Sequence, residues 1–337
     1  MKLSTLSLIP FMALGIFCVK AEETTNIVTF DNFSNVESSK QIERYQGLAS
    51  GVNKWLHFRT PTPIDKQPTI RMNRDTLYSF AVVDASAGAS ITLPKSNGRY
   101  QSLMLVNENG YTNKVWYGEG TYQLTPEVVG SDYALVLVRT FVDANDPEDV
   151  KQVNQLQDEL NIQAKRDKLF EIKQWDEKSY NNIYVALTSL FKMLPNADNA
   201  FGSKGEVDPV RFVLGTAGGY GGLPAKDAFY ANVSPGLTGD KYELTLKDVP
   251  ADGFWSFSLY NKDGYFFKSK HGLSNINSVT AKPNADGSFT IYFGGCDTRL
   301  ENCLAIEPGW NFVARFYQPR EAILNGSWML PPLQPSK

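Results

Sequence analysis

The segment Asn73-Arg74-Asp75-Thr76-Leu77-Tyr78 places a carboxylate, a guanidinium, an amide, a hydroxyl and a phenol in one short stretch. Asp75 can act as a general acid or base, or as a carboxylate that holds a hydroxylated or cationic ligand. Tyr78 can donate to an anionic or carbonyl oxygen. Asn73, Arg74 and Thr76 would then orient what is bound. The structural alternative puts Asp75 in a salt bridge or an Asx turn, and packs Tyr78 at a core edge with its hydroxyl satisfied. Two further guanidinium groups, Arg139 and Arg315, stand inside the otherwise apolar runs Leu135-Val136-Leu137-Val138-Arg139-Thr140-Phe141 and Phe312-Val313-Ala314-Arg315-Phe316-Tyr317. If buried, neither can stay unpaired. Each must fork onto an acid such as Asp75, Asp84 or its counterpart, or hold a ligand carboxylate or sulfate.

Other chemistries find less support. His57 and His271 are the only histidines, and no Gly-x-Ser-x-Gly elbow is present. A Ser-His-Asp triad therefore has no local signature. His57, beside Trp55 and Phe58, reads as a helix-end residue that satisfies a carbonyl. Two histidines so far apart do not suggest a metal centre, and neither a metal nor a cofactor is expected. The acidic stretch 143–149 reads as a helix start, with Asp146 as cap and Pro147 in the first turn, rather than as a calcium loop. The glycines of 215–222 lack the lysine and spacing of a phosphate loop, and point instead to a tight backbone path.

The elements that must position these groups are mostly strands. Thr76–Asp84, Ser90–Pro94, Gly98–Asn107, Val115–Leu124 and Tyr133–Val142 read as strands, with a turn at Asn107-Glu108-Asn109-Gly110. Thr76, Tyr78 and Phe80 then share one face, and Asn73 and Asp75 lie at the strand entrance. Helices are expected over Ser38–Trp55, from Asp146 through Leu160, and over Ser179–Leu194, from apolar residues at steps of three and four. Residues 195–240 read as loop-rich.

The chain also repeats itself. Ile91-Thr92-Leu93 is echoed by Leu244-Thr245-Leu246. The run from Gly98 to Tyr111 is echoed by the run from Gly253 to Tyr265, and the two arginine strands follow in the same order. A repeat in matching order predicts two copies of one β-rich unit. The fold expected is mainly β with α insertions: two jelly-roll-like antiparallel β-sandwich domains from an internal duplication. The boundaries expected are 38–142 for the first sandwich with its helix, 143–240 for a helical connector, and 241–337 for the second sandwich.

Length and composition agree with this. The 337 residues suffice for two cores, with 42 % hydrophobic and 20 % charged residues and a net charge of −3. No concentrated basic face exists to bind nucleic acid. Met1-Lys2, the apolar run from Leu3 to Val19, and Val19-Lys20-Ala21 read as an export signal cleaved after Ala21, leaving no membrane span and placing the protein in the periplasm or outside the cell. Of three cysteines, Cys18 would leave with the signal, and Cys296 and Cys303 would form a disulfide in an oxidising compartment.

Several strings resemble known families. His57-Phe58-Arg59-Thr60-Pro61-Thr62-Pro63 and Ile70-Arg71-Met72-Asn73-Arg74-Asp75-Thr76-Leu77-Tyr78-Ser79 resemble the signature of the domain of unknown function DUF1254. Asp248-Val249-Pro250-Ala251-Asp252-Gly253-Phe254-Trp255-Ser256, Ala285-Asp286-Gly287-Ser288, Pro308-Gly309-Trp310-Asn311 and Tyr317-Gln318-Pro319-Arg320 resemble its usual partner, DUF1214. The resemblance implies an exported or envelope-associated bacterial protein of two jelly-roll-like domains with a helical insertion, and brings no established reaction. Arg211-Phe212 stands where relatives are expected to carry Arg-His, which removes a histidine from that loop, and Ala305 stands where a proline is expected.

Two functions remain open. One is a binding protein for a carbohydrate or small organic ligand, or for a partner subunit including a second copy of itself. In it Asn73, Arg74, Thr76 and Arg139 would hold the ligand. The other is a hydrolase or lyase with Asp75 and Tyr78 as catalytic groups. Large aromatics such as Trp116, Tyr117, Tyr220 and Trp310 would line a sugar platform in the first reading, or fill the cores in either.

Overall fold

A computed structural model describes residues 25–67, 70–194, 196–237, 240–299 and 301–336. The apolar segment read as an export signal, Cys18 included, lies outside the described residues, as does Pro68. The first part of the chain runs α1 (Phe33–Leu48), β1 (Leu56–His57), β2 (Thr76–Asp84), β3 (Ala89–Leu93), β4 (Gln101–Asn107), β5 (Lys114–Tyr117), β6 (Gly120–Leu124), α2 (Pro126–Val129) and β7 (Tyr133–Phe141). The middle holds α3 (Pro147–Asp158), β8 (Asn161–Ala164), α4 (Glu177–Phe191) and α5 (Pro209–Gly219). The last part holds β9 (Ala228–Val233), β10 (Tyr242–Leu246), β11 (Ala251–Tyr260), β12 (Asn275–Asn277), β13 (Phe289–Phe293), β14 (Cys303–Leu304), β15 (Asn311–Pro319), α6 (Glu321–Leu324) and β16 (Gln334–Pro335).

The molecule is mainly β and sandwich-like. Two large sheets, β1-β2-β7-β4-β5 and β12-β11-β15-β9, each face a second sheet, β6-β3-β8 and β14-β13-β10-β16 respectively. All named strand pairs are antiparallel except β13 with β14. Strand alternation sorts the side chains into layers. Val136, Val138, Leu103 and Leu105 point into the first sandwich core with Ile91 and Leu93. Phe312, Ala314, Phe316, Trp255 and Phe257 point into the second with Leu244 and Ile291. The opposite faces, with Leu135, Leu137, Met104, Phe254 and Tyr317, form a third core between the two large sheets.

The echoed strings occupy matching registers. Ser102 on β4 lies opposite Arg139 on β7, and Ser256 on β11 lies opposite Arg315 on β15. Tyr78 on β2 lies on the other side of Arg139, as Tyr230 on β9 does of Arg315. Thr92 and Thr121 join their hydroxyls at 2.9 Å, and Thr245 and Thr290 do so at 3.0 Å. At the turns, Asn107 Oδ1 accepts from the backbone of Asn109 and Tyr111, and Asn261 Oδ1 from that of Asp263 and Tyr265. Gly110 and Gly264 each take φ +88°, a conformation that costs other residues a Cβ clash.

Several local expectations shift. The first helix runs Phe33–Leu48 rather than Ser38–Trp55, so Ser38 lies inside it and bonds back to Ser34 O. The expected strand Val115–Leu124 divides into β5 and β6 around Gly118 and Gly120, both at positive φ. The third helix starts as read, with Asp146 Oδ1 accepting from Glu148 N and Pro147 in the first turn. The loop-rich segment contains α5, capped by Asp208, and β9, which completes the second large sheet. Its glycines do permit close approach, but within a helix: a Cβ on Gly218 would sit 2.1 Å from Phe191 Cδ1 of α4. Gly218→Ala should therefore lower the melting temperature, since overpacking costs about 1–3 kcal/mol. Gly47→Ala, on the exposed face of α1 with no atom within 4 Å, should raise it slightly. Equal effects in a thermal melt would contradict the packing argument.

Cys296 and Cys303 form the expected disulfide, with Cα atoms 5.6 Å apart. No helix among the described residues is long and apolar enough to cross a membrane.

Candidate functional site

The polar groups picked out in the sequence gather between the two large sheets, where the first strand of each unit enters. Asn73 organises the entrance. Its Oδ1 accepts from Asp75 N at 2.8 Å in an Asx turn, which frees Nδ2 to donate to Thr76 Oγ1 at 3.0 Å, Tyr317 OH at 3.1 Å and Tyr78 OH at 3.4 Å. Arg74 turns away: its guanidinium donates to Thr62 O and lies over the Phe266 ring.

Asp75 is fully buried and reaches into the other unit. Asn275 Nδ2 and Asn277 Nδ2 of β12 donate to its Oδ1 at 3.1 and 3.2 Å, while its Oδ2 has no partner. Burial raises its pKa, against the opposing pull of Arg315, Ser256 and the two asparagines. A reciprocal contact runs the other way. Asp227, just before β9, accepts from Tyr117 OH of β5 at 2.7 Å, and its Oδ2 is likewise unpartnered. Tyr117 faces Ser102 across β4–β5 as Asn277 faces Ser256 across β11–β12. Each unit thus inserts one carboxylate into the equivalent place of its neighbour.

The two arginines occupy equivalent places but have different partners. Arg315 donates to Ser258 Oγ at 2.7 Å, Tyr260 OH at 2.9 Å, Arg71 O at 3.0 Å and Met72 O at 3.4 Å. Arg139 donates to Gly221 O at 2.6 Å and otherwise meets Met104 Sδ at 3.8 Å. The turn-to-turn echo explains the contrast. Met104 stands where the second unit has Ser258, and Val106 where it has Tyr260, so Arg139 has no counterpart of those two oxygens. No ion pair involving Arg139 forms among the described residues; burial works against its charge, and the surrounding phenols of Tyr78, Tyr230, Tyr100 and Tyr317 favour it, so that its pKa is raised on balance. The cation lies 5.3 Å from the Tyr78 ring centre and lowers the pKa of that phenol despite burial. Tyr78 and Tyr230 are partly exposed, while Arg139 itself is buried.

The structure therefore brings Asn73, Asp75, Thr76, Tyr78 and Arg139 to one seam and directs the Arg74 guanidinium elsewhere. Asp227 and Tyr230 were missed in the sequence. Their signal was present: Lys226-Asp227-Ala228-Phe229-Tyr230 echoes Arg74-Asp75-Thr76-Leu77-Tyr78. Neither of two clefts at the rim of the seam, of 860 and 490 Å³, is lined by Asp75, Tyr78 or Arg139.

His57 corrects an expectation. It lies in β1, not at a helix end, and its Nδ1 is 2.8 Å from Ser79 Oγ, which also accepts from Gln157 Nε2 at 3.2 Å. The hydroxyl can donate to or accept from the imidazole, according to the ring's tautomer. Burial, with Arg59 adding to it, lowers the His57 pKa to about 4. The unfolded chain, near 6.5, then binds the proton more tightly, so stability is lost as pH falls from 6.5 through about 4. His57→Gln should flatten the fall of melting temperature across that window. An unchanged slope would contradict this account. No group of three or more His, Cys, Asp or Glu among the described residues is arranged to hold a metal ion.

Residues 52–164 match the family model described as "Protein of unknown function (DUF1254)", and residues 229–321 match "Protein of unknown function (DUF1214)". The chain belongs to the family of proteins that carry these two domains. Its fold is similar to the crystal structure of the VPA0106 protein from Vibrio parahaemolyticus, at TM-score 0.66 and 18 % identity over 91 % of this chain and 98 % of that one. A putative uncharacterized protein from Burkholderia cenocepacia aligns at TM-score 0.48 and 16 % identity over 86 % of each chain. No curated protein matches.

Proposed function

We propose that this chain is an exported binding protein for a small hydroxylated organic ligand bearing a carboxylate or sulfate, held between the two large sheets by Arg139 and Tyr78. The supporting observation is the Arg139 cation. It is buried, has no acid partner among the described residues, and lies beside two partly exposed phenols. A buried guanidinium costs free energy unless its donors and charge are answered. Arg315 shows that this fold can answer them with oxygens, and at Arg139 those oxygens are replaced by Met104 and Val106. An oxyanion would supply what is missing, with planar contacts to the fork and a hydrogen bond from Tyr78 OH. Asn73 donates to the Tyr78 hydroxyl and to Thr76 Oγ1, so Asn73 orients the phenol and Thr76 holds Asn73. Export is supported by the leader-like start and by a disulfide that an oxidising compartment maintains.

A second reading is a lyase or hydrolase. The lowered phenol pKa of Tyr78 favours it, because a phenol beside a fixed cation gives up and regains a proton more readily. Asp75 would be the second acid–base group.

A thermal-shift screen of the mature protein against acetate, citrate, galacturonate and sulfate, with galactose as the neutral control, tests the first reading. A ligand at a hundred times its Kd adds about 2.7 kcal/mol to native stability. Stabilisation by an acid and not by galactose is expected. Stabilisation by none, or equally by galactose, would contradict the anion site.

A further inference from the structure

The clefts at the rim of the seam adjoin. They share residues 95–100 and Gly253, and so form one continuous groove across the junction of the two units. One wall is α3 with its C-cap residue Glu159; it presents Asp149, Gln152 and Gln155 at steps of three, and Glu159 follows four residues on, all on one face. Asp149 is not free for a ligand. Arg99 grips it with both ends of the guanidinium, at 2.5 and 2.9 Å, and also donates to Phe141 O at 2.9 Å. That fork ties the 95–100 loop to α3 and fixes the width of the groove. The exposed side chains of Gln152, Gln155, Glu159 and Lys95 are left uncommitted along it.

The charge of this groove is opposite to that of the Arg139 site. With Arg99 neutralised by Asp149 and Asp252 paired with Arg320, the remaining lining acids Glu119, Asp143, Asp146 and Glu159 outnumber Lys95, so an anion is repelled. Two primary amides and a carboxylate, spaced along a helix, offer alternating donors and acceptors at successive turns. Hydroxyl groups, which donate and accept at once, answer that pattern; apolar chains do not. The larger cleft alone approaches the upper size of a small-molecule site, and its continuation past Gly253 into the second suits a chain rather than a compact molecule. We propose that this groove is a second binding site, for a neutral oligosaccharide lying along α3 and across Gly253. It is independent of the anion site proposed above.

Titration calorimetry of the mature protein tests it with hexasaccharides of glucose in α and β linkage, of xylose, of mannose and of N-acetylglucosamine. Hexagalacturonate and hexalysine serve as charged comparisons. At least one neutral hexasaccharide should bind, with an affinity indifferent to added salt. The double variant Gln152→Ala, Gln155→Ala alters only exposed groups and should weaken that binding about fivefold or more, through the loss of two hydrogen bonds to a neutral partner. Saturating citrate, the probe for Arg139, should not displace the sugar. Binding by none of the neutral sugars, binding only by a charged oligomer, or full affinity in the double variant would each overturn the proposal. Failure of the Arg139 site would appear separately, as absence of stabilisation by any of the acids in the thermal-shift screen.

Discussion

Arg315→Met should destabilise the protein by about 3–5 kcal/mol, the usual cost of removing one partner from a buried polar cluster. The guanidinium is 4 % exposed and is the common partner of Ser258, Tyr260 and the backbone of Arg71 and Met72. Its loss takes a donor from Ser258 Oγ, Tyr260 OH and Arg71 O in a buried seam, leaves Met72 O with Tyr260 OH alone, and removes the cation that opposes the raised pKa of Asp75. The result should be visible as a lowered urea midpoint with an unchanged slope. Asp75→Asn should do much less. The raised pKa means that burial opposes the Asp75 charge, and an amide oxygen can still accept from Asn275 and Asn277. A midpoint for Arg315→Met within error of wild type would contradict the assignment of this arginine to the fold.

The equivalent change on the other copy should have the opposite profile. Arg139→Gln should leave stability near wild type, because the side chain it replaces has one good hydrogen bond and a thioether contact. Removing a poorly answered buried cation relieves a cost rather than adding one. Binding of the acid that stabilises wild type should fall by about 2–5 kcal/mol, roughly 30-fold or more, as when one member of a buried charge pair is truncated. The two variants together separate a structural arginine from a functional one at the same place in a repeated design. Unchanged acid binding by Arg139→Gln would remove the basis of the proposed function.

That contrast also shows what was legible in the sequence. The strand Thr76–Asp84 has the bounds read from the sequence, and its neighbours bury both of its faces. The pairing of Ser102 with Arg139 and of Ser256 with Arg315 follows the echo that was visible before any coordinates. The edges were less legible. Helix α1 begins before Ser38 because Phe33 and Val36 pack against α4 and α5, a tertiary gain that local capping chemistry does not reveal. Strand β9 was hidden in a segment rich in glycine and proline, since an edge strand needs only one partner and carries a weak pattern. Asp75 and Arg139 were read as candidates to meet. Instead each carboxylate crosses to the other unit, so the partners of Asp75 are two asparagines about 200 residues away. Spacing along one unit cannot show a contact exchanged between two.

A crystal structure of the protein with the most stabilising acid from the thermal-shift screen tests the central claim most directly. The anionic group should lie within hydrogen-bond distance of the Arg139 guanidinium and of Tyr78 Oη, between the two large sheets. Density for the acid only in the rim groove or on the outer surface, with Arg139 still bonded only to Gly221 O, would contradict it.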